Sequence, residues 1–224
     1  MSNRPFSGLR HRDTLVGPER LSMLGDAVFA IAITLLALEI TVPEGLPDAE
    51  VAHAVRESVP AIGAYLLSFV VIGVLWRVQH GLFRLVATVD RWLLYCYFAL
   101  LAVVAALPYP TRLISEYGET TTATAFYAGA ITLAISLNCT MYLRLLAAPA
   151  LAAPHATAEE LKGSLGHGIV LVLVFATSIP WAFYSPGLAK YWWLLATLTR
   201  LLFRKRPANA QRPAEEAATT EEPA

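Results

Sequence analysis

From Leu21 to Phe203 the sequence is a succession of apolar runs, most of them close to the ~20 residues a helix needs to cross a bilayer core. Six can be read: Leu21–Val42, Pro60–Leu82, Trp92–Ile114, Ala123–Leu146, Leu165–Tyr184 and a shorter Gly187–Phe203. In hydrocarbon every backbone N–H and C=O must be satisfied internally, which leaves helices or a closed barrel. These runs are apolar all round and lack the period-two alternation of barrel strands, so the chain is predicted to be all-α and integral to a membrane. Composition agrees, with 56% hydrophobic and 15% charged residues against about a quarter charged in soluble domains. Basic and acidic residues balance at seventeen each, so no basic field argues for nucleic acid. Cys96 and Cys139 lie inside apolar runs without CxxC or Cys/His spacing, which predicts two buried thiols rather than a disulfide framework or a zinc ribbon.

Charge placement orients the runs. Of the seventeen basic residues only Arg56, Arg112 and Lys190 fall in one set of loops; the other fourteen fall in the opposite set or the termini. The positive-inside rule then puts both termini in the cytoplasm, as an even number of spans requires. Polar sequence precedes the first run and no small-residue cleavage site follows it, so it reads as a span rather than a signal peptide. The outer loops carry Glu44, Asp48, Glu50, Glu57, Glu116 and Glu119, with Glu39 close by. That predicts an outer face of about −3 per chain. Residues 1–20 form a cytoplasmic segment and 21–204 the membrane domain; 205–224, Pro- and Glu-rich without aromatics, read as a disordered tail. Val51–Glu57 has the pattern of a short amphipathic helix on the outer surface. Trp181, Tyr184, Tyr191, Trp192 and Trp193 read as interfacial anchors.

Ionisable side chains inside membrane segments are costly and mark the place to look for function. Asp26 lies a turn inside the first run. Trp76 and His80, spaced i, i+4 on one helical face, lie near the cytoplasmic end of the second. Depth therefore matches, and indole and imidazole donors complement a carboxylate acceptor. Arg20 can add charge compensation from the interface. The plainer reading of this set is a clamp between the first two helices; a proton relay is the sharper one. His80 and His167 as haem ligands would be a further reading, on a weak signal. Asn138 reads as interhelical glue. Further along the first run, Ile31, Leu35 and Leu38 follow i, i+4, i+7 and form one stripe, with Thr34 beside them. Taken alone, such a stripe is ordinary packing.

The string from Arg20 through Leu24, Gly25 and Asp26 to Ile31, Thr34, Leu35, Leu38, Glu39 and Ile40 strongly resembles the first helix of the transmembrane-protein-175 family, the endosomal and lysosomal potassium channels and their prokaryotic relatives. That family's signature is an Arg, three residues, then Phe-Ser-Asp. Arg20 and Asp26 keep register, while Leu24 and Gly25 stand where it has Phe and Ser. Tyr65–Phe69 through Trp76 and His80 to Phe83 is similar to its second helix, and Leu107-Pro108-Tyr109-Pro110-Thr111 to the close of its third. The resemblance implies a single six-helix repeat that assembles as a homotetramer around a central pore lined by helix one. It implies an apolar constriction at Ile31, Leu35 and Leu38, and a pore-facing Thr34 linked to potassium preference. It also implies a structural polar network of Arg20, Asp26, Trp76 and His80. Potassium and other monovalent cations, further copies of the chain and the lipid bilayer are then the expected partners, with the plasma membrane as the location. No cofactor or metal is expected.

Two other classes of function were weighed against the channel. A proton-coupled secondary transporter would use Asp26 and His80, yet the paired Gly/Pro-broken helices of a midplane substrate site are missing, although Pro180 interrupts the fifth run. A membrane enzyme would need a nucleophile or metal motif, and neither G-x-S-x-G nor H-E-x-x-H occurs.

Overall fold

The computed structural model describes residues 17–41, 43–185, 187, 192 and 193. Among these it is helical: α1 Pro18–Ala37, α2 Asp48–Glu57, α3 Val59–Arg84, α4 Arg91–Ala106, α5 Pro108–Glu116, α6 Thr121–Ala147 and α7 Ala158–Ala182, with a single 3₁₀ turn at Pro149–Leu151. Among the described residues five spans are long and apolar enough to cross a membrane, with α4 and α5 counted as one. The break between those two follows from Pro108, which has no N–H to continue the ladder. Of the sixth predicted span only Gly187, Trp192 and Trp193 are described; the N-terminal arm and the tail lie outside the described residues.

Helix ends follow local chemistry that apolar runs do not register. The first helix starts at Pro18, a residue type preorganised for the first turn. It stops at Ala37, five residues short of the predicted Val42. Leu38, Glu39 and Ile40 instead donate to carbonyls three residues back, ahead of Thr41 and Pro43. Leu38 therefore caps the helix rather than belonging to its body. α7 begins seven residues before the predicted Leu165. Thr157 accepts from the Glu160 N–H at 3.1 Å, with glutamate at the third position of the turn, the arrangement of a capping box. Where a surface helix was predicted at Val51–Glu57, α2 begins three residues earlier.

Successive long helices run antiparallel. Near one end, which carries Arg77, Arg84, Arg91, Arg144 and Lys162, the start of α4 meets the end of α6. Asp90 accepts the Leu93 N–H through Oδ1 at 2.8 Å. Through Oδ2 it takes Arg144 Nε at 2.9 Å and Nη2 at 2.7 Å. One carboxylate thus caps a helix and pairs a guanidinium. Beside it the two loops at this end are stitched together, with Ala87 donating to Leu151 and Ala153 to Leu85, each at 2.8 Å. Asp90→Ala removes both roles. A lost cap costs ~1 kcal/mol and the half-exposed pair adds a few tenths. The expected result is a fall of about 4 °C in the tryptophan-fluorescence melting midpoint of the detergent-solubilised protein. Arg144→Gln, which keeps the cap, is expected to cost less.

At the opposite end a buried hydroxyl cluster joins three helices. Ser68 of α3 lies 2.8 Å from Thr111 of α5 and 3.0 Å from Tyr127 of α6. Thr111 also donates its hydroxyl to the Leu107 carbonyl at 2.8 Å. α6 also packs against α7, where Gly168 faces Cys139: a Cβ at Gly168 would lie 2.6 Å from its sulfur. Both thiols are buried and free, as expected. Trp193 departs from its expected interfacial position. It is buried, stacks on Phe175, lies tilted against Tyr127, and donates its indole N–H to Ser178 at 2.8 Å. Trp192, Trp181 and Tyr184 are exposed. Asn138 also departs from the interhelical reading: its amide donates to Ala134 of its own helix at 3.3 Å, and its Oδ1 has no partner among the described residues.

Candidate functional site

α1 packs against α3, α4 and α5 along one face only. Gly25, Phe29, Ala32 and Leu36, at the i, i+4, i+7, i+11 spacing of a helical stripe, are buried, the last two at 1% and 0% exposure. Ile31, Leu35 and Leu38 lie on the other side at 58%, 41% and 71% exposure. No described part of the chain covers this second apolar stripe. Thr34 shares the open side, and its hydroxyl donates to the Ile31 carbonyl at 2.8 Å. That bond satisfies the proton within the helix, and the oxygen keeps acceptor capacity for a ligand on the open face.

Near its N-terminal end α1 is tied to α3: the Trp76 indole N–H donates to Asp26 Oδ1 at 2.7 Å. His80 does not reach the carboxylate. Its ring stacks on Trp76 with centroids 5.6 Å apart and planes 29° apart, as side chains one turn apart on a helix can. Arg20 is exposed and makes no ion pair or side-chain hydrogen bond among the described residues. Of the four predicted network residues, then, Asp26, Trp76 and His80 come together and Arg20 stands apart. Asp26 and His80 therefore form no carboxylate–imidazole pair. His167 bonds the Gly163 carbonyl of its own helix at 2.6 Å. Among the described residues no group of three or more His, Cys, Asp or Glu side chains is placed to hold a metal.

Two contacts were not anticipated from the sequence. Tyr97 of α4, fully buried, donates its hydroxyl to the Leu21 carbonyl of α1 at 2.7 Å. It can do so because Gly25 has no side chain: a Cβ there would overlap the Tyr97 hydroxyl. Thus a hydroxyl from α4 lies against the position where the resemblance would put a serine. A glycine inside an apolar helix was the only sequence signal, and it did not name its neighbour. At the other end, Arg112 of α5 donates to Glu116 at 2.8 Å and lies 3.7 Å from Glu39, just beyond the end of α1. The acidic charge expected on the outer face is therefore partly matched by a base.

Comparison with known proteins bears on what this helix face does. The sequence profile of the family described as "Endosomal/lysosomal potassium channel TMEM175" matches residues 20–108. A potassium channel of Streptomyces collinus is 35% identical over 171 residues, which cover 71% of this chain and 83% of that protein. One from Chamaesiphon minutus is 39% identical over 131 residues, covering 53% of this chain and 60% of that protein. Among solved structures, the crystal structure of a lysosomal potassium-selective channel TMEM175 homologue from Chamaesiphon minutus superposes with a TM-score of 0.70. It shows 27% identity and covers 82% of this chain and 96% of that one.

Proposed function

The chain belongs to the TMEM175 family of endosomal/lysosomal potassium channels, and on that premise we propose that it is a potassium-permeable cation channel. It assembles as a homotetramer, with α1 of each subunit lining a central pathway. The observation that carries this reading is the two-sided character of α1. One stripe is buried in the protomer, and a second apolar stripe (Ile31, Leu35, Leu38) is left for something outside it. A protomer offers one helix of this kind, so an axial pathway needs several copies around a symmetry axis.

Rings of Ile31, Leu35 and Leu38 form the constriction. A narrow apolar ring sheds its water and excludes ions, and a slightly wider one wets and conducts. Thr34 hydroxyl oxygens supply a modest preference for potassium over sodium. Asp26, Trp76 and His80 hold the cytoplasmic end of α1 against α3, with Arg20 at the membrane surface. The basic end of the bundle faces the cytoplasm by the positive-inside rule, and the acidic loops opposite concentrate cations at the outer mouth. The location is the plasma membrane. The family is one of ion channels, and the reading includes no enzymatic step.

The test is flux. Liposomes containing the full-length chain and loaded with potassium are expected to release it faster than protein-free vesicles, with sodium released more slowly. Release no faster than from empty vesicles would reject the channel. Saturating flux coupled to a pH gradient would replace it with a carrier.

A further inference from the structure

We infer that Tyr97 of α4 and Gly25 of α1 form a second anchor that fixes the rotation of the pore-lining helix and so positions its constriction. This rests on the channel reading above and adds to it a positioning residue outside the pathway.

Two grips on α1 lie about one turn apart. Trp76 holds the Asp26 carboxylate from α3, and Tyr97 holds the Leu21 carbonyl from α4. At 3.6 residues per turn, positions 21 and 26 point about 140° apart around the helix axis. One grip leaves a helix free to swivel about the point of contact; two at that angle do not. The second is also stiff. The Tyr97 ring packs on Phe83 with centroids 4.7 Å apart, and its hydroxyl fills the space where Gly25 lacks a Cβ. Ile31 lies about 9 Å further along the helix from Gly25. Between it and Leu38 the stripe has no packing partner among the described residues of the protomer, so its angular position is inherited from these grips and from the buried stripe of Phe29, Ala32 and Leu36 on the opposite face. With the hydroxyl gone, α1 keeps its apolar contacts and one polar grip, and the apolar ring widens and wets more often.

The test uses full-length protein reconstituted in planar bilayers, with hydrogen exchange on the same preparations. Tyr97→Phe removes the hydrogen bond and leaves the ring. It is expected to raise open probability about fivefold, from the loss of one buried hydrogen bond, with unitary conductance unchanged. Amide exchange in the first two turns of α1 is expected to rise similarly. A control variant separates the grip from mere satisfaction of the carbonyl. In Gly25→Ser/Tyr97→Phe the new hydroxyl can bond the Leu21 carbonyl four residues back, but it restores no bond between α1 and α4. The ring carbon 3.2 Å from the new Cβ has to give by a few tenths of an ångström. Open probability and exchange are expected to stay within about twofold of Tyr97→Phe.

Unchanged exchange in Tyr97→Phe would overturn the anchor whether or not the chain conducts. Raised exchange with unchanged open probability would overturn its control of the constriction. Exchange and open probability back at the parent level in the double variant would also overturn the anchor, because that variant has no bond between α1 and α4. A parent chain that conducts nothing rejects the channel reading instead, while the exchange measurement still decides the anchor.

Discussion

Asparagine at Leu35 is expected to raise potassium release from liposomes by about tenfold or more over the parent chain. A leucine ring keeps ions out because water leaves the space between the side chains. The apolar character lost at each leucine is worth roughly 2 kcal/mol, and in the proposed assembly each substitution acts in every subunit at once. Because 1.4 kcal/mol already corresponds to a factor of ten, partial recovery of hydration is enough for a large effect. The side chain is exposed in the protomer, so the substitution disturbs no core contact and folding should survive. Ile31→Asn, one turn earlier on the same stripe, is expected to act in the same direction. If both variants release potassium at the parent rate, α1 does not line the pathway, whatever else the chain conducts.

Asp26→Ala is expected to lower the yield of assembled protein about tenfold in size-exclusion chromatography of the detergent extract. The carboxylate is the acceptor for the Trp76 indole N–H, and a hydrogen bond to a charged group is worth about 1.5–3 kcal/mol. Its loss leaves the indole without a partner where α1 meets α3, and the helix proposed to build the subunit interface loses one of its two polar ties. Asp26→Asn keeps an oxygen at the same place and is expected to retain most of the assembly. Ordinary yield from the alanine variant would mean that the clamp does not matter for holding α1.

Asp26, Trp76 and His80 show how far sequence reasoning reaches. Depth in the membrane and an i, i+4 spacing sufficed to bring the three to one level, because both are properties of a single helix measured from its own end. Which atoms bond was not available in the same way. His80 shares the face of Trp76 and stacks on it, while the indole N–H takes one oxygen of the Asp26 carboxylate. Arg20 keeps register along the chain yet points elsewhere. Tyr97 and Gly25 are further out of reach. Seventy-two positions separate them, and nothing in either local sequence announces that a tyrosine of the third span needs a missing side chain on the first. Trp193 failed for a similar reason: an aromatic near a helix end is interfacial by composition, but here a serine of α7 offers its indole an acceptor inside the bundle.

The amino-acid sequence alone determined that the chain is helical and membrane-spanning, which face of its first helix is an apolar stripe, and which family it resembles. These are one-dimensional properties: run length, period and register survive without knowledge of neighbours. The tertiary structure decided which of the two apolar stripes of α1 is buried and which is left open, because both are equally apolar and only packing against α3, α4 and α5 tells them apart. It also decided what grips α1, since a hydrogen bond between helices depends on their distance and rotation, and neither is written in any one segment.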